Sequence, residues 1–214
     1  MGNLGRCLQA GGERLAVPGA GRCDATSNRG NPRIVVVGTT GCGKTALARQ
    51  LSRLFDVPHV ELDALNWQAN WTTAPTDLFR QRVEEALKGD GWVVDGNYSA
   101  VRDIVWPRAT TLVWLDYPLW IIMRQLVWRT FRRTVTKEEL WSGNRERFLD
   151  QFLSRDSLFL WALRTYRMRR RTYPLLLNQP EYAHLRVLHL HSPGETREWL
   201  SRLETTFDCG SALA

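Results

Sequence analysis

Arg33-Ile34-Val35-Val36-Val37-Gly38-Thr39-Thr40-Gly41-Cys42-Gly43-Lys44-Thr45 decides the fold of this chain. Its first five residues are a β-branched run of strand length. The next eight fill the pattern G-x-x-x-x-G-K-[ST], a phosphate-binding P-loop. Leu47, Leu51 and Leu54 then recur at helical spacing and give an apolar stripe. A glycine-rich turn before a helix has a similar composition, but here strand, glycine loop and helix come in the order that phosphate binding requires. The glycines let backbone N–H groups curl around phosphate oxygens. Lys44 is a point charge suited to the β- and γ-phosphates, and the Thr45 hydroxyl suits Mg²⁺. The helix that follows aims its positive end at the anion. The candidate nucleotide-binding residues are Gly38, Thr39, Thr40, Gly41, Cys42, Gly43, Lys44, Thr45 and Ala46.

Working outward, five apolar runs read as strands: Arg33–Val37, His59–Leu62, Trp92–Asp95, Thr110–Leu115 and Arg186–Leu190. Helical patterns alternate with them over about Lys44–Phe55, Thr76–Lys88, Leu119–Val135 and Asp156–Tyr173, with Thr196–Leu203 last. This alternation predicts an α/β fold with a parallel sheet covered on both faces. Ligands of such sheets bind beyond the carboxyl ends of the strands. Asp63, Asp95 and Asp116 each follow a strand and would converge on the mouth that holds the phosphates.

Trp92-Val93-Val94-Asp95 is an apolar strand closing in an acid, the Walker B form that holds Mg²⁺. Leu112-Val113-Trp114-Leu115-Asp116 has the same form. Asp95 is preferred because Gly96 follows it, whereas Asp116 precedes Pro118 and a helix, where capping explains it. Thr45 and Asp95 are thus the candidate metal ligands. Asp63 reads as a group that orients or deprotonates an acceptor hydroxyl or helps to anchor Mg²⁺, or else as a cap for the segment Ala64–Gln68.

The 214 residues suit one compact domain with a small mobile insert. Net charge is +7. Between Leu119 and Tyr173 there are 13 Lys and Arg against 5 Asp and Glu, so the remainder is close to neutral. Arginines that clamp a moving phosphoryl group stabilise its charge, and a lid that carries them excludes water. Arg129 and Arg133 are the catalytic candidates of this kind, with Arg132 and Arg145 beside them and a lid region over about residues 124–150. Arg167–Arg171 read mainly as a solvated face, because a consecutive run cannot all point into one site. Trp120, Trp128, Trp141 and Trp161 lie among the arginines and read as the apolar side of their helices, with base stacking in a nucleic-acid complex as the other reading.

The four cysteines show neither metal-ligand spacing nor a dense disulfide pattern. Cys42 reads as a small loop residue, or as a thiol whose pKa neighbouring positive charge lowers. Reduced thiols and no recognisable signal peptide point to the cytoplasm. Thr110 to Trp128 is interrupted by Asp116, Pro118 and Arg124 and does not read as a membrane span. Residues 1–31, rich in Gly, Ala and Arg, read as a flexible tail before a domain over 32–207.

With its motifs in this order, the chain resembles the adenylate-kinase-like group of P-loop kinases. It is especially similar to the bacterial proteins known as topology modulation proteins or AAA-family ATPases. The similarity spans about residues 33–203. It rests on the P-loop, Glu61-Leu62-Asp63-Ala64-Leu65-Asn66-Trp67, Trp92-Val93-Val94-Asp95-Gly96-Asn97-Tyr98-Ser99, Trp114-Leu115-Asp116-Tyr117-Pro118, Arg129 to Arg133, and Glu139-Leu140-Trp141-Ser142-Gly143-Asn144-Arg145-Glu146. The resemblance implies a P-loop NTPase three-layer sandwich with strand order 2-3-1-4-5, Mg-ATP as donor, and a lid after strand four. Adenylate kinases follow their Asp-Gly with aromatic-Pro-Arg. Here Asn97-Tyr98-Ser99 follows and Arg102 comes later, so Asn97 and Arg102 are the acceptor-binding candidates. Asp63 resembles the strand-two Asp of shikimate and gluconate kinases that meets an acceptor hydroxyl. Ser192-Pro193-Gly194 falls where the family places its adenine-contacting loop, which makes Pro193 a nucleotide-binding candidate. The subgroup name implies an effect on DNA, and the sequence carries no DNA-reading motif. The expected activity is ATP-dependent phosphoryl transfer to a small molecule or nucleotide, with a DNA- or protein-contacting nucleotide-dependent regulator as the alternative.

Overall fold

The computed structural model describes residues 31–136 and 158–211. Five parallel strands form one sheet: β1 Arg33–Gly38, β2 His59–Glu61, β3 Trp92–Asp95, β4 Thr111–Leu115 and β5 Arg186–Leu190. Their spatial order is β2-β3-β1-β4-β5, with Val36 opposite Asp95 on one side of β1 and Val36 opposite Val113 on the other. The helices are α1 Lys44–Phe55, α2 Leu62–Asn66, α3 Thr76–Ala86, α4 Arg102–Val105, α5 Leu119–Thr136, α6 Leu158–Leu177 and α7 Pro193–Ser211.

The central strands are buried on both faces, which is why they read as unbroken apolar runs rather than alternating ones. Ile34, Val36, Val93, Val113 and Leu115 face Leu47, Ala48 and Leu51 of α1, Ile122 of α5 and Leu200 of α7. Val35, Val37, Val94, Leu112 and Trp114 face the other way, toward Phe79 and Val83 of α3, Trp106, and Tyr173 of α6. The two apolar layers leave the carboxyl ends of β1 and β3 as the open mouth of the sheet.

Several boundaries differ from the sequence reading by a few residues, with α6 running on through Pro174 to Leu177 and α7 to Ser211, and two differences bear on the site. Strand β2 stops at Glu61, and the chain turns at once into the short helix α2, closed by a bond from the Trp67 N–H to the Asp63 carbonyl. The last helix begins at Pro193 rather than Thr196. Proline suits a first helical position because its missing N–H would be unpaired there. Ser192 Oγ accepts from the Glu195 N–H at 3.1 Å, and Glu195 Oε2 accepts from the His191 N–H at 2.6 Å. Ser192-Pro193-Gly194-Glu195 is therefore a helix-start signal of the S-x-x-E kind. The expected tail up to residue 30, and residues 137–150 of the expected lid with Trp141 and Arg145, lie outside the described residues.

Candidate functional site

The glycine loop joins β1 to α1 at the mouth. Gly38 has φ +152°, and a Cβ there would stand 2.6 Å from the Leu115 carbonyl oxygen, so only glycine fits. Gly43 has φ +94° with nothing within 4 Å of a built Cβ, which leaves the loop's concave side open to a ligand. The Cys42 N–H donates to the Thr39 carbonyl at 3.1 Å, and Lys44 Nζ donates to the same carbonyl at 3.3 Å. Helix α5 packs on the loop at Gly41, where Leu126 Cβ and the Ile122 carbonyl lie 3.3 and 3.4 Å from a built Cβ. Thr39 and Cys42 are buried, Thr40, Lys44 and Thr45 half-buried, and Ala46 exposed. The Cys42 thiol is pushed up from its ordinary pKa, because burial outweighs the nearby charges of Lys44 and Arg169. It is thus a packed loop residue, and the activated-thiol reading falls.

Asp95 comes to the loop from β3. Its Oδ2 accepts from Thr45 Oγ1 at 2.5 Å, and its Oδ1 meets His59 Nε2 at 3.1 Å. A hydroxyl and a carboxylate side by side are hard oxygen donors that fit Mg²⁺. His59, two residues before Glu61 on the neighbouring strand, escaped the sequence reading. The register Glu61 opposite Asp95 turns His59 and Asp95 to one face.

Asp63 lies inside α2 rather than capping it, for the capping position is Glu61. Its Oδ1 accepts from the Tyr98 hydroxyl at 2.6 Å. Burial and the Asp63 charge both push the Tyr98 pKa up, so the phenol stays protonated as donor. Among the described residues no Lys or Arg forms an ion pair with Asp63.

Asn97 faces the loop. Its Oδ1 accepts from the Gly38 N–H at 3.0 Å, and its Nδ2 donates to the Gly38 carbonyl at 2.6 Å. The Tyr173 hydroxyl donates to the same Oδ1 at 3.1 Å. Arg102 places its guanidinium 5.3 Å from the Trp106 ring centre and lines a small pocket with Leu62, Gly96, Tyr98 and Tyr173. Arg129, half-buried, follows Leu126 by three residues on α5. Arg133 is near that helix's end, its side chain outside the described part.

The arginine run on α6 divides differently from expectation. Arg167 and Arg171 are exposed, but Arg169 is only 7% exposed. Its Nη1 donates to Thr165 Oγ1 at 3.2 Å, and its charge is felt by Tyr173 and by Cys42 in the P-loop. No carboxylate pairs with it among the described residues, and burial lowers its pKa. Arg170 Nε donates to both oxygens of Asp116, at 2.8 and 2.9 Å. Asp116 is thus an ion-pair acid rather than a helix cap. Helical spacing separates the run's members: Ala162, Thr165, Arg169 and Tyr173 share the buried stripe of α6. Trp120, Trp128 and Trp161, expected on apolar sides, are 66%, 66% and 55% exposed. Ile122 and Leu126 take the inward face of α5 instead.

Comparison with protein-family models returns no match, and neither does comparison with curated protein sequences. Solved structures do match. A shikimate kinase from Acinetobacter baumannii in complex with shikimate is 16% identical, over 84% of this chain and 94% of that one, with a TM-score of 0.50. The chain has the P-loop kinase fold. A gluconokinase from Sinorhizobium meliloti 1021 is 18% identical over 86% of this chain and 99% of its own, with a TM-score of 0.47. At such identities the likeness concerns the fold. No helix among the described residues is long and apolar enough to cross a membrane.

Proposed function

We propose that the protein is an ATP-dependent phosphotransferase whose acceptor is a small molecule bearing a hydroxyl and an anionic group. The observation that carries this reading is the division of labour between two acids at one mouth. Asp95 is bound to Thr45 of the P-loop, while Asp63 is held by Tyr98 and, among the described residues, by no cation. One carboxylate belongs to the nucleotide half of the site and the other is free to meet a hydroxyl.

The glycine loop and Lys44 would hold the phosphates of ATP, with Pro193 at the base. Thr45 and Asp95 would hold Mg²⁺, which supplies charge neutralisation for the phosphates when bound. His59 fixes the rotamer of Asp95. Asp63, oriented by Tyr98, would take up the acceptor hydroxyl and its proton. Arg102 and the buried Arg169 would meet the acceptor's anionic group or the transferring phosphoryl. Arg129 and Arg133 would close over the site as part of a lid at about residues 124–150, in a domain over 32–207 behind a tail at 1–31. The motif order favours the topology modulation subgroup among P-loop kinases, and a cytoplasmic setting suits its substrates.

The test is a screen of hydroxylated acids, nucleosides and nucleotides for ATP-dependent phosphorylation, run with wild type and Asp63→Asn. Transfer in the variant should fall by at least about a hundredfold, while slow hydrolysis of ATP in water stays within about twofold. Equal loss of both would reject the acceptor role of Asp63. Titration calorimetry showing no binding of ATP or GTP with Mg²⁺ would reject the whole reading.

A second reading, a nucleotide-dependent regulator contacting DNA or another acidic partner, draws on one observation. Helices α5 and α6 carry no acidic residue and expose Trp120, Trp128 and Trp161 beside arginines. Stimulation of ATP hydrolysis by DNA, with affinity falling steeply as salt rises, would favour it.

A further inference from the structure

A second polar cluster lies on the other side of β1, at the carboxyl ends of β4 and β5. Asp116 directly follows β4, His189 lies within β5, and His191 follows it. The register Trp114 opposite His189 stacks the two rings, with centres 3.9 Å apart and planes 3° from parallel. The alternation of side chains along a strand then brings His191 to the same face as His189, with the two ring centres 4.1 Å apart. One ligand atom from each of Asp116, His189 and His191 lies within 4.8 Å of the others. The His189 Nε2 to Asp116 Oδ2 distance is 3.2 Å. The edge between two nitrogen or oxygen ligands of a tetrahedral zinc, with bonds of about 2.0–2.1 Å, is close to that, at about 3.3 Å.

We propose that Asp116, His189 and His191 form a binding site for a late first-row divalent cation such as Zn²⁺ or Co²⁺, distinct from the Mg²⁺ ligands at Thr45 and Asp95. Two imidazoles and one carboxylate suit such ions, whereas Mg²⁺ prefers oxygen ligands alone. An ion pair with Arg170 already balances the charge of Asp116, and it requires neither histidine. The two imidazoles add lone pairs beyond that need, and His191, being exposed, can close the last part of the distance by rotation. Arg170 then serves as the outer partner that orients the ligating carboxylate. A bound cation would tie the end of β4 to the loop that opens α7 at Pro193.

The experiment uses the full chain, stripped with a chelator and titrated with Co²⁺ in excess Mg²⁺, read by visible absorbance. One equivalent should bind, with ligand-field bands and no thiolate charge-transfer band. His191→Ala alters an exposed side chain and should leave the melting temperature unchanged while weakening binding at least tenfold. Asp116→Asn should weaken it likewise, and His59→Ala should not. The proposal is overturned by the absence of saturable Co²⁺ binding, by binding that survives in His191→Ala, or by a thiolate charge-transfer band that assigns the ion to cysteine.

Discussion

Arg169 offers a test in which stability and function move in opposite directions. Its side chain is buried, with hydroxyl partners and no carboxylate among the described residues. Burying an ion costs several kcal/mol after relaxation. The hydroxyls of Thr165 and Tyr173 return about 1 kcal/mol each. The folded protein without ligand therefore carries a net penalty of about 1–3 kcal/mol at this residue. Arg169→Met keeps a long unbranched side chain and removes the charge. It should raise the melting temperature by roughly 2–4 °C for each kcal/mol relieved in a domain of this size. If Arg169 meets the phosphoryl group as proposed, the same substitution also removes a preorganised transition-state contact, a loss that costs about 10²–10³ in turnover. Thermal melts without nucleotide and ATP turnover with Mg²⁺ give the two readouts. A lower melting temperature with turnover kept within threefold would make Arg169 a structural residue and refute the reasoning.

Asp95→Asn should leave ATP binding measurable by calorimetry but cut turnover sharply and raise the Mg²⁺ concentration needed for half-maximal rate; full turnover would reject Asp95 as a metal ligand. Asn97→Asp keeps the acceptor for the Gly38 N–H but sets a carboxylate oxygen against the Gly38 carbonyl. It should therefore weaken ATP binding in the absence of any acceptor, by about tenfold or more; an effect confined to the acceptor KM would show Asn97 to be a substrate contact instead. Asp116 has a folded pKa below its ordinary value of 3.8. Its contribution to stability is complete above that value and lost as pH falls through the lower folded one. The gap in chemical stability between wild type and Asp116→Asn should thus narrow below about pH 4.

The sheet and the glycine loop were legible because their signals are local. A β-branched run followed by glycines at fixed spacing specifies strand and loop together, and parallel pairing brings Asp95 beside Thr45, whereas Asp116, expected at the same mouth, turns to Arg170 and His189 instead. The surroundings of Asp63 and Arg169 were less legible because those residues are set by tertiary partners. Asp63 gained its orientation from Tyr98, 35 positions away. Within Arg167–Arg171, composition cannot say which guanidinium turns inward. The periodic neighbours Ala162, Thr165 and Tyr173 single out Arg169, but only once the buried side of α6 is known. The tryptophans of α5 and α6 misled for a related reason: both helices are apolar on more than one side, so periodicity does not fix which side meets the sheet. His59 carried no motif, and only the pairing of β2 with β3 brings it to Asp95.

The bonding of Asn97 links the glycine loop to the surroundings of Asp63 and to α6. Its amide grips both backbone groups of Gly38, the residue on which the P-loop turns, and its oxygen also takes the Tyr173 hydroxyl from α6. The next residue, Tyr98, orients Asp63. Adjacent side chains on the segment after β3 therefore set the glycine loop and Asp63, while Arg169, one helical turn before Tyr173, is carried by the same helix. A displacement of α6 would act on Arg169 and, through Tyr173 and Asn97, on the backbone of Gly38 together. In a phosphotransferase that coupling has a use: the buried cation and the phosphate cradle reach their working positions as a unit, rather than one being complete while water still has access to the other.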